Sequence, residues 1–577
     1  MEKDPLTGKV IGCAIEIHPL IFCAANVPFL EILPRIGLRS FLLAAHRRTV
    51  SLVLSVVENM FGDRWKRHKP IVLSVLSGAL LTLAFPRPAI PAAAWLALVP
   101  LLVAVRGRSL GEALRLGFWC GLIHYLTALY WIYIVMAKYG GLPVPVAVLI
   151  LLLLGAYLAC YPACFALLAA CWEKHPRFWL WGLPLAWVAL EWVRAHMITG
   201  FPWANLGYSQ TPMLPLIQVA DIVGVYGLSW LVVLANTCLA RVWMERRPHW
   251  NLLMLAVLVV LVSIYGKVRL ESIEGKQQES PLQVVALIQG NIDQSRKWDA
   301  AFQEEIVNRY LELSRQAAGS SPRPTLLVWP ETAAPFFFGL EDRFTPRLQE
   351  LAQTSQAAML LGAPGVAREN DRPRYYNRVF LMDARGKTQG SYAKQHLVPF
   401  GEYVPLPRLL FFVQRLVEAA GDFSPGKDAR PLILDGQRFG VLICYEAIFP
   451  DLARQEVRLG ANILVSVTND AWFGHSGAPY QHLEMARWRA IENRVPLIRC
   501  ANTGISTVFE ATGRNGQQIP FNESGYLVCG VSPLQAPTLY TRYGDWFAWF
   551  CSLTAFMAVI YTLIALRKNR AGPGQPA

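Results

Sequence analysis

Long apolar runs separated by short polar loops fill the chain up to about Gly266 and return once near its end, whereas Lys267 to Arg542 carries only short apolar segments. A bilayer core needs roughly 20 apolar residues per helix, fewer where a helix is short or re-entrant. Candidate spans are Ile71–Phe85, Ala92–Val105, Leu116–Met136, Val144–Trp172, Phe178–Val193, Ile222–Ala240, Leu252–Tyr265 and Trp546–Leu566. The pattern thus predicts a membrane α-helical bundle of about eight spans. The middle region reads differently. Short apolar runs predict strands at Gln283–Leu287, Thr325–Trp329, Met359–Ala363, Arg378–Met382, Phe439–Cys444, Ile463–Val467, Leu497–Ala501 and Tyr526–Val531. Helices fit Ala300–Ala317, Phe344–Thr354, Pro450–Leu459 and Gln481–Arg494. Strands alternating with helices imply an α/β layered domain with covered sheets.

Composition agrees with a bilayer protein. Of 577 residues 54% are hydrophobic, 16% are charged and 19 are Trp, too apolar a balance for a soluble enzyme of this size. Lys66, Arg67 and Lys69 precede the first span; Arg106, Arg108 and Arg115 follow the second, and Lys174 and Arg177 the fourth. Arg241, Arg246 and Arg247 follow the sixth, and Arg567, Lys568 and Arg570 the last, while the alternate loops hold chiefly Arg87 and Lys138. Positive residues stay on the cytoplasmic side, so both termini are expected inside and the globular region outside, in the periplasm of a cell with two membranes. Much of the net charge of +14 sits in these loops and in the N-terminal stretch. No basic stripe with interleaved aromatics is present, which sets nucleic acid aside and leaves anionic lipid head groups as the counter-charge.

Candidate chemistry gathers around Cys444, which ends the apolar run Phe439-Gly440-Val441-Leu442-Ile443 and precedes Tyr445 and Glu446. A free thiol is mostly protonated and needs a base to become a nucleophile. Glu331, after Leu326-Leu327-Val328-Trp329-Pro330, can supply one. Attack on a carbonyl puts negative charge on oxygen, which Lys394 and the backbone N–H after the nucleophile can stabilise. Each residue alone is more often structural than catalytic; the combination points to covalent acyl chemistry. Of the 11 cysteines, Cys120, Cys160, Cys164, Cys171, Cys238 and Cys551 lie in apolar spans, where cysteine acts as a small hydrophobe. Cys160 and Cys164 are one helical turn apart with no His or further Cys at ligand spacing, so no metal site is expected. Cys500 and Cys529 read as buried thiols or as a disulfide pair.

Three motifs resemble the Glu-Lys-Cys set of the nitrilase, or carbon–nitrogen hydrolase, superfamily: Trp329-Pro330-Glu331, Tyr392-Ala393-Lys394-Gln395-His396-Leu397-Val398-Pro399-Phe400-Gly401-Glu402, and Ile443-Cys444-Tyr445-Glu446. The middle one, with Asn469-Asp470-Ala471-Trp472-Phe473-Gly474, resembles the apolipoprotein N-acyltransferase family, membrane enzymes that add the third acyl chain to bacterial lipoproteins. The resemblance runs from about Lys66 to Arg570. It implies an α-β-β-α sandwich with Glu331, Lys394 and Cys444 at one rim, and two-step transfer without a cofactor. A phospholipid, phosphatidylethanolamine being the family's usual donor, would leave its acyl chain as a thioester on Cys444. The α-amine of a diacylglyceryl-cysteine at the start of an apolipoprotein would then take it. The resemblance also implies supporting roles for Glu402, Tyr445 and Glu446, and substrate contacts for Trp298, Trp203, Asn205, Phe400, Phe411 and Phe412. A monomer in the bacterial inner membrane is expected.

Phe336-Phe337-Phe338 and Leu409-Leu410-Phe411-Phe412-Val413 read either as arms dipping into lipid or as core packing. His475 and His482 are expected to be structural. Residues 1–59 lie outside the resemblance; Glu16, Pro19, Pro28, Glu31 and Pro34 break their apolar segments, which makes a poor signal peptide. Met60 is where a chain of the resembled family is expected to begin, and a misassigned start and a genuine extension are both open. The expected organisation is therefore 1–59, an extension; 60–266, transmembrane; 267–542, extracytoplasmic and catalytic; and 543–577, a last span with a short tail. A membrane-tethered amidase would use the same triad and pass the acyl group to water, but the many spans and the Lys394–Glu402 motif favour an acyltransferase. A transporter or scaffold carrying an inactive hydrolase-like domain would show mid-membrane charges or paired halves. Here Glu191 is the main such charge and no halves are visible.

Overall fold

The computed structural model describes residues 67–570 apart from 247–249, 341–342, 370, 400, 404–422 and 428. The described residues from Lys69 onward form one compact unit, which holds both the helices and the sheets.

This unit begins as a helical bundle. Residues 69–83 are helical, Pro91–Ala94 and Val99–Val105 are short pieces, and Leu110–Ala128 starts at a capping box between Ser109 and Glu112. Val144–Cys171, Leu183–His196, Ala220–Glu245 and Trp250–Glu279 come next, and Trp546–Arg570 lies after the globular region. Leu110–Ala128 packs on Val144–Cys171 through small residues. A Cβ on Gly117 would stand 2.4 Å from the Pro162 carbonyl oxygen, so glycine is what lets these backbones approach.

Among the described helices, Val144–Cys171, Ala220–Glu245, Trp250–Glu279 and Trp546–Ala565 are long and apolar enough to cross a bilayer. A fifth is added if Leu110–Ala128 and Trp131–Tyr139 form one span bent by 49°. That bend corrects the straight Leu116–Met136 span: Trp131 turns aside to pack on Trp203 and Phe473, with ring centroids 4.8 and 4.9 Å away. The expected Ala92–Val105 span is broken at 95–98, where buried Asn236 accepts from Leu98 N–H and donates to the Ala94 carbonyl, both at 2.8 Å. Those bonds replace the helical ones lost at the break, as an apolar surrounding demands. The expected Phe178–Val193 span is a π-helical turn, Phe178–Gly182, continued by Leu183–His196. The helix expected over Leu252–Tyr265 continues to Glu279, so the boundary drawn at 266/267 falls inside it. Its far end is held by Ile273, buried with Ala511 and Leu534.

The globular region contains β1 (Gln283–Gln289), β2 (Leu326–Val328), β3 (Ala358–Glu369), β4 (Arg372–Met382), β5 (Thr388–Ala393) and β6 (Leu432–Leu434). It continues with β7 (Gln437–Ile443), β8 (Ile463–Thr468), β9 (Leu497–Ala501), β10 (Ser506–Phe509), β11 (Asn515–Ile519) and β12 (Gly525–Val531). Two mixed six-stranded sheets result, ordered β12-β1-β2-β3-β4-β5 and β11-β10-β9-β8-β7-β6. Alternation of side chains sorts the layers. Val285 and Leu287 share the inner core with Val441 and Val465, while Ala286 and Ile288 pack under the helices Gln303–Ala318 and Thr345–Ser355. Leu442, Leu464 and Leu497 face Pro450–Arg458 and Ala478–Asn493 on the other outer side. This is an α-β-β-α sandwich. β5, β6, β10 and β11 have no counterpart among the expected strands because they are short or polar, β11 being almost wholly exposed.

Phe336 and Phe338 are not lipid arms. They are 3% and 6% exposed in the outer core, each with a partner ring, Phe344 and Phe380, at 5.1 Å. Residues 409–413 lie outside the described residues. Cys500 and Cys529 are separate free thiols.

Candidate active site

Glu331 follows β2 after Trp329, which the indole Nε1 anchors to Ser314 Oγ at 2.9 Å. The chain then turns tightly, with Thr332 at φ +47°, over Gly362 of neighbouring β3, where a Cβ would come within 2.8 Å of Glu331 Cα. Lys394 leaves β5 with its N–H held by the Asn377 carbonyl at 2.9 Å. Cys444 lies one residue beyond β7 rather than inside a strand, at φ +53°, and opens the 3₁₀ turn Cys444–Ile448. A left-handed cysteine is strained unless its surroundings hold it. Three strands from two sheets thus deliver these side chains to one cavity of about 440 Å³.

Charges in the cavity are tightly matched. Lys394, 1% exposed, places Nζ 2.9 Å from the Glu402 carboxylate and 3.5 Å from Glu331 Oε1. Asn377 Nδ2 donates to both carboxylates, at 2.8 Å to Glu331 Oε1 and 3.1 Å to Glu402 Oε1. The Val398 N–H adds a 2.8 Å bond to Glu402 Oε2. Burial favours the neutral amine of Lys394, but Glu402 and Glu331 outweigh it and keep the ammonium well above its ordinary value. Burial, then the charge of Glu331, raise the Cys444 thiol, and Lys394 offsets them only in part. Such a thiol does not ionise alone at neutral pH, so its proton must pass to a base as the sulfur attacks.

Two further buried groups frame the site. Lys297 donates Nζ to the Glu331 main-chain carbonyl at 3.0 Å, and burial pulls its amine down to about 8. Glu446 is fully buried and collects four donors. Ile443 N–H reaches Oε2 at 2.7 Å; Gln395 N–H, His396 N–H and the Tyr392 hydroxyl reach Oε1 at 2.6, 3.1 and 3.0 Å. Burial pushes Glu446 up to about 7 against the pull of these N–H groups and of Lys394. The carboxylate thereby ties the segment after Lys394 to the turn that presents Cys444. The opposite wall of the cavity comes from the bundle and is apolar, with Trp131, Ile132, Ile150, Leu154 and Trp203.

Residues 77–238 match the model of the apolipoprotein N-acyltransferase N-terminal domain, and 284–538 that of carbon–nitrogen hydrolase. An apolipoprotein N-acyltransferase of Geobacter metallireducens is 46% identical over 509 residues, 87% of this chain and 96% of the relative. Those of Rhodopseudomonas palustris and Bradyrhizobium diazoefficiens are 33% and 34% identical over 545 and 535 residues, each 88% of this chain and 96% of the relative. The chain belongs to the apolipoprotein N-acyltransferase family.

Of the residues that the sequence nominates for an apolipoprotein N-acyltransferase site, Glu331, Lys394, Cys444 and Glu402 line the cavity, as do Tyr445, Trp298 and Trp203. Asn205 does not; it is buried and braces the 200–206 loop, its Oδ1 accepting from Arg194 Nη2 at 2.6 Å. Phe400, Phe411 and Phe412 lie outside the described residues. Asn377, Lys297 and His482 were not legible as site residues. His482, expected to be structural, donates Nε2 to the Cys444 carbonyl at 3.0 Å, while His475 packs against Phe521 at 5.4 Å. Asn377 meets Glu331 across 46 residues of chain, a contact created by sheet pairing that local spacing does not announce.

Proposed function

We propose that this chain transfers an acyl group from a membrane phospholipid, through a thioester on Cys444, to the N-terminal amine of the diacylglyceryl-cysteine of apolipoproteins. The cavity carries the proposal: one wall is apolar helix, the other holds a left-handed cysteine beside a carboxylate and an ammonium. A hydrolase gains nothing from such a wall, whereas a thioester that must outlast water does.

In the first half-reaction Glu331 takes the thiol proton as Sγ attacks the ester carbonyl carbon, and Lys394 with the Tyr445 N–H stabilises the oxyanion. The ester C–O bond breaks, and the lysophospholipid oxygen leaves with the proton held by Glu331. In the second, the amine nitrogen attacks the thioester carbon and passes a proton to Glu331. The C–S bond breaks and Cys444 recovers its proton from Glu331. Glu402 and Asn377 orient Lys394 and Glu331, Glu446 and Tyr445 hold the nucleophile's turn, and Trp298 and Trp203 bound the acyl pocket.

The proposed donor is phosphatidylethanolamine, the proposed enzyme a monomer with about eight spans, and the proposed domains those given by the sequence, with the catalytic one starting after the helix Trp250–Glu279 instead of at 267. Loop contacts support a periplasmic catalytic domain in the inner membrane. Arg87, in a loop otherwise poor in positive charge, lies 3.9 Å over the Tyr480 ring, and the Pro86 carbonyl accepts from Gln481 Nε2 at 2.9 Å. Arg106, Glu173 and Arg241 gather in a separate pocket that shares no residue with the active-site cavity. The test is peptide mass spectrometry after incubation with phosphatidylethanolamine. A hydroxylamine-labile acyl mass on the Cys444 peptide, discharged by a diacylglyceryl-cysteine peptide, is expected; loss to water alone would make the enzyme a hydrolase.

A further inference from the structure

A second polar cluster meets Cys444 at its backbone carbonyl, through His482, and at its thiol, through Thr468. His482, fully buried on the helix Ala478–Asn493, sets Nε2 3.0 Å from the Cys444 carbonyl oxygen. A carbonyl only accepts, so Nε2 carries the hydrogen. The other ring nitrogen, Nδ1, lies 3.0 Å from Asp470 Oδ1 and 3.2 Å from Arg499 Nη2. A neutral ring accepts from Arg499 and a charged ring donates to Asp470; in both states Nε2 keeps its hydrogen. Arg499 also donates to Asp470 Oδ2 at 2.8 Å, and the Thr468 hydroxyl to Oδ1 at 3.0 Å. Burial opposes ionisation of Asp470, but Arg499 and His482 outweigh it and hold the carboxyl down at about 2. The ring is also packed against the bundle's Trp203, with centroids 6.0 Å apart and planes 28° apart, and Trp203 Nε1 donates to Gln481 Oε1 at 2.7 Å.

The peptide joining Cys444 to Tyr445 is planar, and its C=O and N–H point in opposite directions. A donor that fixes the carbonyl on one side therefore fixes the N–H on the other. Tyr445 sits in the first turn of the 3₁₀ segment Cys444–Ile448, where N–H groups have no partner within the helix. It is also the N–H next after the nucleophile, the one that acyl chemistry needs at the developing oxyanion.

We propose that His482 is a positioning residue of the acyl transfer, which aims the Tyr445 N–H at the acyl oxygen by holding the Cys444 carbonyl. The inference rests on the thioester chemistry proposed above. It is tested on the full-length enzyme with two reagents that differ in their need for an oxyanion hole. Phosphatidylethanolamine forms the thioester and needs one. Methyl methanethiosulfonate passes its methylthio group to Sγ, forming an S–S bond and releasing methanesulfinate, with no carbonyl oxyanion. His482→Phe keeps a ring between Trp203 and Phe473 but has no donor, whereas His482→Gln retains an N–H donor.

His482→Phe is expected to slow thioester formation roughly 10- to 100-fold, less than the ~10²–10³ for outright loss of an oxyanion donor, while methylthiolation stays near the wild-type rate. His482→Gln is expected to recover most of the acylation. Equal loss with both reagents would mark a structural role and overturn the inference, as would full thioester formation by His482→Phe. A Cys444→Ala enzyme that still acylates would instead remove the thioester reading itself, an outcome that the His482 variants do not produce.

Discussion

Glu446→Gln is a nearly isosteric change with a large expected effect. One terminal atom becomes an NH₂ donor in a site where every neighbour already donates. The least damaging orientation keeps the amide oxygen against Gln395 N–H, His396 N–H and the Tyr392 hydroxyl, and turns the NH₂ onto the Ile443 N–H, which now sits 2.7 Å from Oε2. A hydrogen bond to a charged group contributes about 1.5–3 kcal/mol, and an orphaned buried donor costs about 1–3 kcal/mol more. The sum is about 2.5–6 kcal/mol, a sizeable part of a domain's ~5–15 kcal/mol. Thermal unfolding in detergent, monitored by Trp fluorescence at a pH above 7, where Glu446 is ionised, should shift down by about 5 °C or more for a domain of this size. Thioester formation should fall as well, because the same carboxylate anchors the residues next to Lys394. A Glu446→Gln protein that unfolds within about 1 °C of wild type and acylates at full rate would refute the four-donor account.

Asn377→Asp replaces a shared donor with a third carboxyl facing Glu331 and Glu402; a loss of about 10² in kcat/KM is expected, partly regained on acidification as the new acid protonates, whereas Asn377→Leu should stay low at every pH. The Lys297 amine, held at about 8, is charged below that pH and neutral above it. The rate of Lys297→Arg thioester formation relative to wild type should therefore rise towards about tenfold one pH unit above 8, and parallel profiles would exclude an electrostatic part for Lys297. Asp221 accepts from Tyr265 Oη and Arg269 Nε at 2.8 Å and from Arg494 Nε at 3.0 Å. Asp221→Asn leaves two arginines without their counter-charge, a loss of about 3–5 kcal/mol, and limited proteolysis should cut the variant faster; an unchanged cleavage rate would show that the pair is dispensable.

The sandwich was legible because its central strands are apolar runs between polar helices: Leu326-Leu327-Val328 and Gly440 to Ile443 announce β2 and β7 wherever they occur. The nucleophile and its two partners stood out because each comes after such a run or lies in a motif of its own. The hidden features depend on partners far away in the chain. Asn236 mends the break at 95–98 from 138 residues on, as its bond to Leu98 shows, and His482 reaches Cys444 across 38. Nothing local distinguishes either from a satisfied core residue. Phe336 and Phe338 failed as lipid arms for the complementary reason: three aromatics in a row look the same whether they face oil or a core.

The unbroken helix Trp250–Glu279 is about 45 Å long at 1.5 Å per residue, some 15 Å more than a ~30 Å hydrocarbon core. It therefore acts as a keyed spacer, setting both the height and the rotational phase at which the sheet domain begins. One residue inserted after Gly266 would lift the distal part of the helix and β1 by about 1.5 Å and turn them by about 100°, so this plain-looking segment is length-critical. Its residue count is constrained as tightly as the side chains it sets against Asp221 and the sheet domain.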